Sequence, residues 1–189
     1  DIACGGETLA EGIAVKKPGA VTQPVVSKHV DDVLVVDERA LEWAVGALVE
    51  QQRVVSEGAG AAGIAAIYQH RQVFESKKVG VVICGGNIDP RLLASILNRN
   101  MASDGRLARL RIDISDEPGM LAGITASISR CGGNIVEIYH QRLFYDVPAK
   151  LAKIDAVIET RGPDHVTEII DELRGASFQV RQMDDYSGS

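Results

Sequence analysis

Residues 110–121 read LRIDISDEPGML, and this stretch decides the fold of the second half of the chain. Its first five residues alternate between aliphatic and charged side chains, which is the period-two pattern of a strand with one face toward water. A turn through Pro118 and Gly119 follows, and a helical stripe of apolar residues begins at Leu121. The stretch therefore predicts a strand, a turn and a helix in succession, within an antiparallel or mixed sheet.

The residues that follow repeat these two patterns in a recognisable order. The predicted elements are a helix through Leu121, Ile124 and Ile128, strands over 134–142 and 153–159, a helix through Val166, Ile169, Ile170 and Leu173, and a last strand at Phe178 and Val180. Together with the first strand, this order of strand, helix, strand, strand, helix, strand is the α+β ferredoxin-like plan, which takes about 80 residues.

The first half of the chain has a different pattern. Apolar stripes predict a helix over residues 38–52, and an Ala- and Gly-rich segment predicts another over 58–68. Short apolar runs at 33–36 and 79–83 are typical of fully buried strands in a parallel sheet. Strands that alternate with helices indicate an open α/β sheet.

A helix after Pro90 is expected to stop near Asn98, and Ser103, Asp104 and Gly105 then supply a turn. This turn is the predicted domain boundary. The prediction is one domain over residues 1–104 and a second over residues 105–189.

Composition narrows the class of protein. The hydrophobic fraction is 46%, and no apolar run approaches the roughly 20 residues that a membrane-spanning helix needs. A net charge of −6 with scattered basic residues argues against nucleic acid as a partner. Cys4, Cys84 and Cys131 are widely spaced, so they favour neither a disulfide framework nor a zinc site, and we expect a cytoplasmic protein without a metal. Because the chain opens without an initiator Met or a leader, we expect it to be the continuation of a longer one.

The loop after the second apolar run carries the first chemical signal. Cys84, Gly85, Gly86 and Asn87 come directly after a predicted buried strand, where open α/β sheets bind ligands. Glycines allow a flat ring to approach the backbone, and a thiol can hydrogen-bond to a ring nitrogen. The alternative is an ordinary turn. The same five residues recur at 131–135, where they follow a helix, so we interpret the repeat as coincidence and the second glycine pair as a helix C-cap.

Three segments of the first half resemble fold-type II pyridoxal-phosphate enzymes, and threonine ammonia-lyases in particular: residues 7–16 (ETLAEGIAVK), 56–61 (SEGAGA) and 84–89 (CGGNID). The resemblance implies that pyridoxal 5'-phosphate is the cofactor. It also implies that Cys84 faces the pyridine nitrogen of the cofactor, with Gly85, Gly86 and Glu57 beside the ring. Glu57 has an alternative role as a carboxylate that stabilises a helix N-terminus. Thr8 and Gly12 either line the site or pack beside it.

The resemblance further implies a reaction. A neutral partner for the ring nitrogen favours elimination of a β-hydroxyl, and the family converts L-threonine to 2-oxobutanoate and ammonia. The family's Schiff-base lysine and its glycine run for the phosphate are expected upstream of Asp1, so no catalytic residue is assigned within this chain, which should be inactive by itself. The alternatives are a serine ammonia-lyase or serine racemase of the same fold, acting on L-serine, and a non-catalytic amino-acid-sensing fragment.

The second half resembles the ACT family, whose members bind small amino acids where two copies meet. The resemblance lies in residues 114–121 and in Asn134 with Ile135. It implies a role in isoleucine biosynthesis and end-product control by a branched aliphatic amino acid, isoleucine or valine, in a homodimer formed through this domain. The predicted effector contacts are Asp116, Gly119, Met120, Leu121, Asn134 and Ile135. The alternative is that Asp116 only caps the helix, with Pro118 in its first turn.

Overall fold

The structure is a computed structural model of the 189-residue chain, and it describes residues 7–17, 19–141 and 151–183. Contacts between residues divide the chain into two compact units, Asp1–Asn100 and Met101–Ser189. The assignment of residues 1–104 to a catalytic domain and of 105–189 to a regulatory domain stays a prediction. Among the described residues, no helix has the length and apolar character needed to span a bilayer.

The first unit is built from helices. They are α1 (Thr22–His29), α2 (Glu38–Ala47), α3 (Gly58–Gln69), α4 (Arg71–Phe74) and α5 (Pro90–Ser103), with a 3-10 turn at Glu11–Ile13 and a π-helical turn at Leu48–Gln52. α2 begins behind Asp37, whose carboxylate accepts the N–H of Ala40 at 2.8 Å, an ordinary N-cap. The predicted helices over 38–52 and 58–68 are confirmed.

The core of this unit lies where α2 and α3 pack together. Leu41, Val45 and Leu48 supply its large side chains, alanines of α2 and α3 allow close packing, and Ile96 of α5 is buried against them. α5 continues to Ser103, five residues beyond its predicted end at Asn98. Tertiary contacts of Asn100 with α2 explain this extension, because they stabilise a last turn that the local sequence does not require.

The prediction of two buried strands, at 33–36 and 79–83, is wrong. Neither segment has regular secondary structure, and Val33 and Val82 are 67% and 83% exposed. A strand of a parallel sheet is defined by hydrogen bonds to its neighbours, and the described residues of this unit contain no strand that pairs with either segment. The apolar pattern shows which side chains would be buried in a sheet, but it cannot supply the neighbouring strands.

The second unit has the predicted ferredoxin-like topology. Its elements are β1 (Leu107–Ser115), α6 (Met120–Arg130), β2 (Asn134–Gln141), β3 (Leu151–Glu159), α7 (Pro163–Gly175) and β4 (Gln179–Met183). The order in the sheet is β2, β3, β1, β4, and every neighbouring pair is antiparallel. Arg142, predicted as the last residue of the second strand, lies outside the described residues.

Both helices of this unit pack on the same face of the sheet. The shared core consists of aliphatic residues from β1, β3, α6 and α7, including Ile112, Ile154, Ile128 and Ile169. α6 ends at Arg130, and Gly132 closes it as predicted from the repeated motif: the residue has a φ of +81°, and its N–H donates to the carbonyl of Ser129. Left-handed backbone of this kind favours glycine and closes the helix.

The opposite face of the sheet contains a buried carboxylate. The side chain of Asp155, on β3, is only 1% exposed. Arg111 donates from Nε and Nη2 to its two oxygens, both at 2.7 Å, and Arg109 adds a bond at 3.0 Å. The hydrogen bonds from Arg111 hold the pKa of Asp155 below its usual range, while burial acts in the opposite direction. One carboxylate thus accepts hydrogen bonds from two arginines of β1, and this pairing links the two central strands.

We predict that Asp155→Asn lowers the free energy of unfolding by roughly 2 kcal/mol at pH 7, because the ion pairs of Arg109 and Arg111 with this carboxylate are lost. A group whose pKa is depressed by folding stabilises the protein above its unfolded pKa, about 3.9 for Asp, and ceases to do so as the pH falls through the folded value. The difference between wild type and variant should therefore shrink below about pH 4. Urea unfolding at several pH values measures it.

The matched control is Asp113→Asn, on the same face of β1 and outside this cluster of bonds, which should change stability little. Equal losses from both variants, or a loss from Asp155→Asn that persists unchanged at low pH, would contradict the assignment of this stabilisation to the Asp155 ion pairs.

Candidate functional site

The N-terminus of α3 brings together the three segments that carry the sequence motifs. A β-carbon placed on Gly58 would lie 2.3 Å from the carbonyl oxygen of Leu9, and one on Gly60 would lie 2.0 Å from that of Cys84. Both distances are far shorter than a van der Waals contact. The backbones therefore meet directly, and only glycine fits at these two positions of the helix.

Glu57 occupies the space between two further glycines. A β-carbon on Gly85 would lie 2.5 Å from Oε1 of Glu57, and one on Gly12 would lie 3.2 Å from the same atom. The N–H of Glu57 donates to the carbonyl of Gly85 at 3.2 Å, and the buried hydroxyl of Ser56 donates to that carbonyl at 3.2 Å as well. The Glu57 carboxylate is thus held directly beside the loop that contains Cys84.

The thiol of Cys84 lies at the surface of this loop and is not in a disulfide. Gly85 follows with a φ of +86°, a left-handed conformation that favours glycine, and Gly86 backs onto the carbonyl of Val55. The loop therefore presents an exposed thiol and a stretch of backbone without side chains. The structure brings the predicted cofactor residues, Cys84, Gly85, Gly86 and Glu57, into one place, while their roles stay predictions.

A cleft of about 770 Å³ opens beside Glu57 and is strongly acidic. Its charged lining residues are Glu7, Glu11, Glu38, Glu42, Glu57, Asp89 and Arg99. Thr8 and Gly12 line the cleft and also pack: the hydroxyl of Thr8 donates to Glu38, and Gly12 lies against Glu57. Sequence reasoning missed Glu38 and Arg99, because a carboxylate in the first turn of a helix and an arginine near the end of another are common surface features.

The predicted effector turn joins β1 to α6. Gly119 occupies the N-cap position with a φ of +94°, and no side chain caps the helix. The alternative in which Asp116 serves as the N-cap is therefore wrong, and Pro118 precedes the helix. A left-handed glycine at the N-cap displaces the preceding residues from capping geometry. Of the next two residues, Met120 packs against the core and Leu121 is partly exposed.

Asn134 and Ile135 lie at the other end of the sheet. Both Asn134 and Leu107 pair with Glu159, whereas Ser115, which precedes the effector turn, lies opposite Leu151. The eight steps from Leu107 to Ser115 correspond to about 27 Å along β1. The amide of Asn134 donates to Glu159 at 3.1 Å, and Ile135 packs against the core. Within one copy, the two halves of the predicted effector site do not meet.

The chain is similar to known proteins over most of its length. Residues 2–85 match the family model described as pyridoxal-phosphate dependent enzyme. Over most of its length the chain is a relative of L-threonine ammonia-lyases. It is 40% identical over 177 residues to that enzyme of Thermotoga maritima and 37% identical over 173 residues to that of Geobacter sulfurreducens.

These alignments cover 94% and 92% of this chain, and the chain spans 44% and 43% of the two relatives. A catabolic L-threonine dehydratase of Escherichia coli is 39% identical over 84 residues, which is 43% of this chain and 26% of that protein. Among solved structures, the ACT domain of the GTP pyrophosphokinase of Chlorobium tepidum matches 41% of this chain and 96% of that domain, with 28% identity and a TM-score of 0.34.

The residues around Cys84 fit the cofactor of this family. Bare backbone at Gly85 and Gly86 leaves room for a flat ring, and the neighbouring thiol can exchange a hydrogen bond with a ring nitrogen. When bound, pyridoxal phosphate would supply an electron sink. Cys84 and the Glu57 carboxylate are the groups of this chain that would lie beside such a ring.

We predict that Gly60→Ala displaces the Cys84 loop, because the new methyl group would overlap the Cys84 carbonyl. Hydrogen exchange of the Glu57 amide, which donates to Gly85, should become at least about tenfold faster, as expected for local loss of about 1.4 kcal/mol. Gly80→Ala is the control, since a β-carbon at Gly80 has no atom within 4 Å. If Gly60→Ala left this protection intact, the close contact between the two segments would be refuted.

Proposed function

We propose that the protein is an L-threonine ammonia-lyase, which converts L-threonine to 2-oxobutanoate and ammonia with pyridoxal 5'-phosphate as cofactor. The observation that carries the proposal is the contact of Glu57 with Gly85 beside Cys84, which assembles the family's three motif segments at one point. Identity of 37 to 40% to L-threonine ammonia-lyases over more than nine-tenths of the chain supports it.

In this proposal Cys84 is the neutral partner of the cofactor's ring nitrogen. A thiol exchanges a hydrogen bond with the nitrogen but does not fix a proton there as a carboxylate would. The ring is then a weaker electron sink, which favours rapid expulsion of the β-hydroxyl over slower competing reactions. Gly85 and Gly86 let the ring approach, and Gly12 keeps the Glu57 carboxylate in place.

We predict that, in the complete enzyme, Cys84→Ser retains elimination within about tenfold of wild type, because a hydroxyl replaces the thiol as a neutral partner. Cys84→Asp should lower kcat by about a hundredfold or more, because the carboxylate favours the protonated ring. Formation of 2-oxobutanoate from L-threonine measures activity, and the absorption spectrum of the bound cofactor checks that each variant is loaded. An aspartate variant as active as the serine variant would show that Cys84 does not hold this position.

The second unit is proposed to sense an amino acid as a homodimer. The edge strand β2 exposes Val136, Ile138 and Tyr139, and an uncovered edge favours pairing with another copy. A two-fold axis makes two β2 strands antiparallel. Asn134 of one copy then lies near the opposite end of its partner's sheet, where the turn of Asp116 and Gly119 is found. The two halves of the effector site, which one copy keeps apart, meet in this dimer.

We predict that the chain sediments as a dimer and that Ile138→Lys yields monomers, because a lysine on an edge strand disfavours pairing. Gln179→Lys, on the other edge strand β4, is the control and should remain dimeric. Calorimetry should detect binding of L-isoleucine or L-valine to the wild type and at least about tenfold weaker binding to Asp116→Ala. A monomeric wild type, or binding that Asp116→Ala leaves unchanged, would exclude this site.

We also propose that the protein is cytoplasmic. The support is that the two cysteines in the described part of the chain, Cys84 and Cys131, are both free thiols, as is usual in a reducing compartment.

A further inference from the structure

Glu38 is the first residue of α2, and its carboxylate holds a distant segment of the first unit. One carboxylate oxygen accepts the hydroxyl of Thr8, and the other accepts the backbone N–H of Leu9 at 2.9 Å. These partners lie 30 and 29 residues before Glu38 in the sequence. Hydrogen bonds to a charged acceptor are stronger than those between neutral groups, and the use of both oxygens fixes the orientation of the carboxylate. The segment that begins at Thr8 is therefore fixed to the start of α2.

The segment held by Glu38 packs on the N-terminus of α3. The carbonyl of Leu9 lies directly against Gly58, where a β-carbon would overlap it. The Thr8 hydroxyl also accepts the N–H of Ala10 at 3.1 Å, and Ala10 is buried. The 3-10 turn Glu11–Ile13 follows, and the N–H of its last residue returns to the Ala10 carbonyl at 3.0 Å. A continuous series of hydrogen bonds thus leads from α2 to this turn.

Gly12, within the 3-10 turn, is in contact with the Glu57 carboxylate. A β-carbon on Gly12 would lie 3.2 Å from Oε1 of Glu57 and 3.2 Å from the β-carbon of Ala59. The same carboxylate also lies against Gly85, the neighbour of Cys84. Its side chain does not cap α3. The position of the Glu57 carboxylate is therefore set by the two glycines that flank it.

We propose that Glu38 is a positioning residue for the elimination, because it fixes the segment 8–12 and thereby holds the Glu57 carboxylate beside the Cys84 loop. The hydrogen bonds of Glu38 within the described residues go to that segment, so its effect on the site is indirect. A displacement of about 1 Å at a site can cost about a hundredfold in rate, so a bond remote from the chemistry can be important. The inference rests on the proposed function, since it concerns the same cofactor site.

Glu38 has a second role to be separated from this one. A carboxylate in the first turn of a helix stabilises that helix through its dipole, and Glu38 occupies such a position in α2. If this were its only role, loss of the carboxylate would loosen the first turn of α2 and leave the segment 8–12 unchanged. Thr8 separates the two roles, because it bonds to Glu38 and is not part of α2.

Hydrogen exchange of the 189-residue chain tests whether Glu38 fixes the segment. In Glu38→Ala, the amides of Leu9 and Ala10 should exchange at least about tenfold faster than in the wild type, because the anchor of both is lost. Thr8→Val should accelerate the same two amides, whereas Thr8→Ser keeps the hydroxyl and should not. Glu42→Ala is the matched control: it removes a carboxylate one turn further along α2 that pairs with α5, so both amides should exchange as in the wild type.

A double-mutant cycle in the complete enzyme tests the connection to Glu57. Glu38→Ala should lower kcat for the formation of 2-oxobutanoate from L-threonine at least about tenfold. In a Glu57→Ala background the same change should lower kcat by less than about twofold, because no carboxylate remains to be positioned. Thr8→Val should behave likewise in this cycle and replaces Glu38→Ala if that variant does not fold. Circular dichroism and the absorption spectrum of the bound cofactor check that each variant is folded and loaded.

Several outcomes would overturn the inference and leave the lyase function standing. The first is unchanged exchange of both amides in Glu38→Ala, or acceleration confined to the Leu41 amide in the first turn of α2. The others are an equal loss of kcat in both backgrounds and a Glu57→Ala variant as active as the wild type. Absence of 2-oxobutanoate formation by the complete wild-type enzyme overturns the proposed function itself, and the inference with it.

Discussion

Direct contact between backbones is the constraint on which the arrangement of this protein depends. Where Gly58 meets Leu9 and Gly60 meets Cys84, even a single methyl group would overlap a carbonyl oxygen. These contacts fix the N-terminus of α3 against two segments that are distant in sequence. The Glu57 carboxylate and the Cys84 loop take their positions from that arrangement, and so does the adjoining wall of the cleft. The glycines of these motifs are thus required first for close packing, and the chemical role of the motifs follows from that packing.

Charge is distributed differently in the two units. The cleft of the first unit gathers several carboxylates with Arg99 as a cation among its lining residues, so its lining carries a net negative charge. In the second unit Asp155 is enclosed by Arg109 and Arg111, and these hydrogen-bonded ion pairs link β3 to β1. The first arrangement gathers mostly like charges along a cleft, whereas the second pairs opposite charges within the sheet.

The proposed effector site depends on where the topology of one copy places its residues. Because β1 runs the length of the sheet between them, Asp116 and Asn134 are held at opposite ends of one copy. A ligand that contacts both needs a second copy of the chain. Pairing of the exposed β2 edges meets this need without any change in the fold of either copy, so association and ligand binding are expected to be coupled.

The sequence by itself determined the ferredoxin-like plan of the second half, because alternation and helical stripes are local consequences of burying one face of each element. It also determined α2 and α3, the left-handed conformation of Gly132 after the end of α6, and the identity of the motif residues. Only the tertiary structure decided which segments meet. The apolar runs around Val33 and Val82 are exposed because a strand requires a partner, and Glu57 lies beside Gly85 because distant backbones pack together. Asp116 and Asn134 are separated because strand register sets their positions. Such relations between distant residues depend on the pairing of whole elements, which local periodicity does not encode.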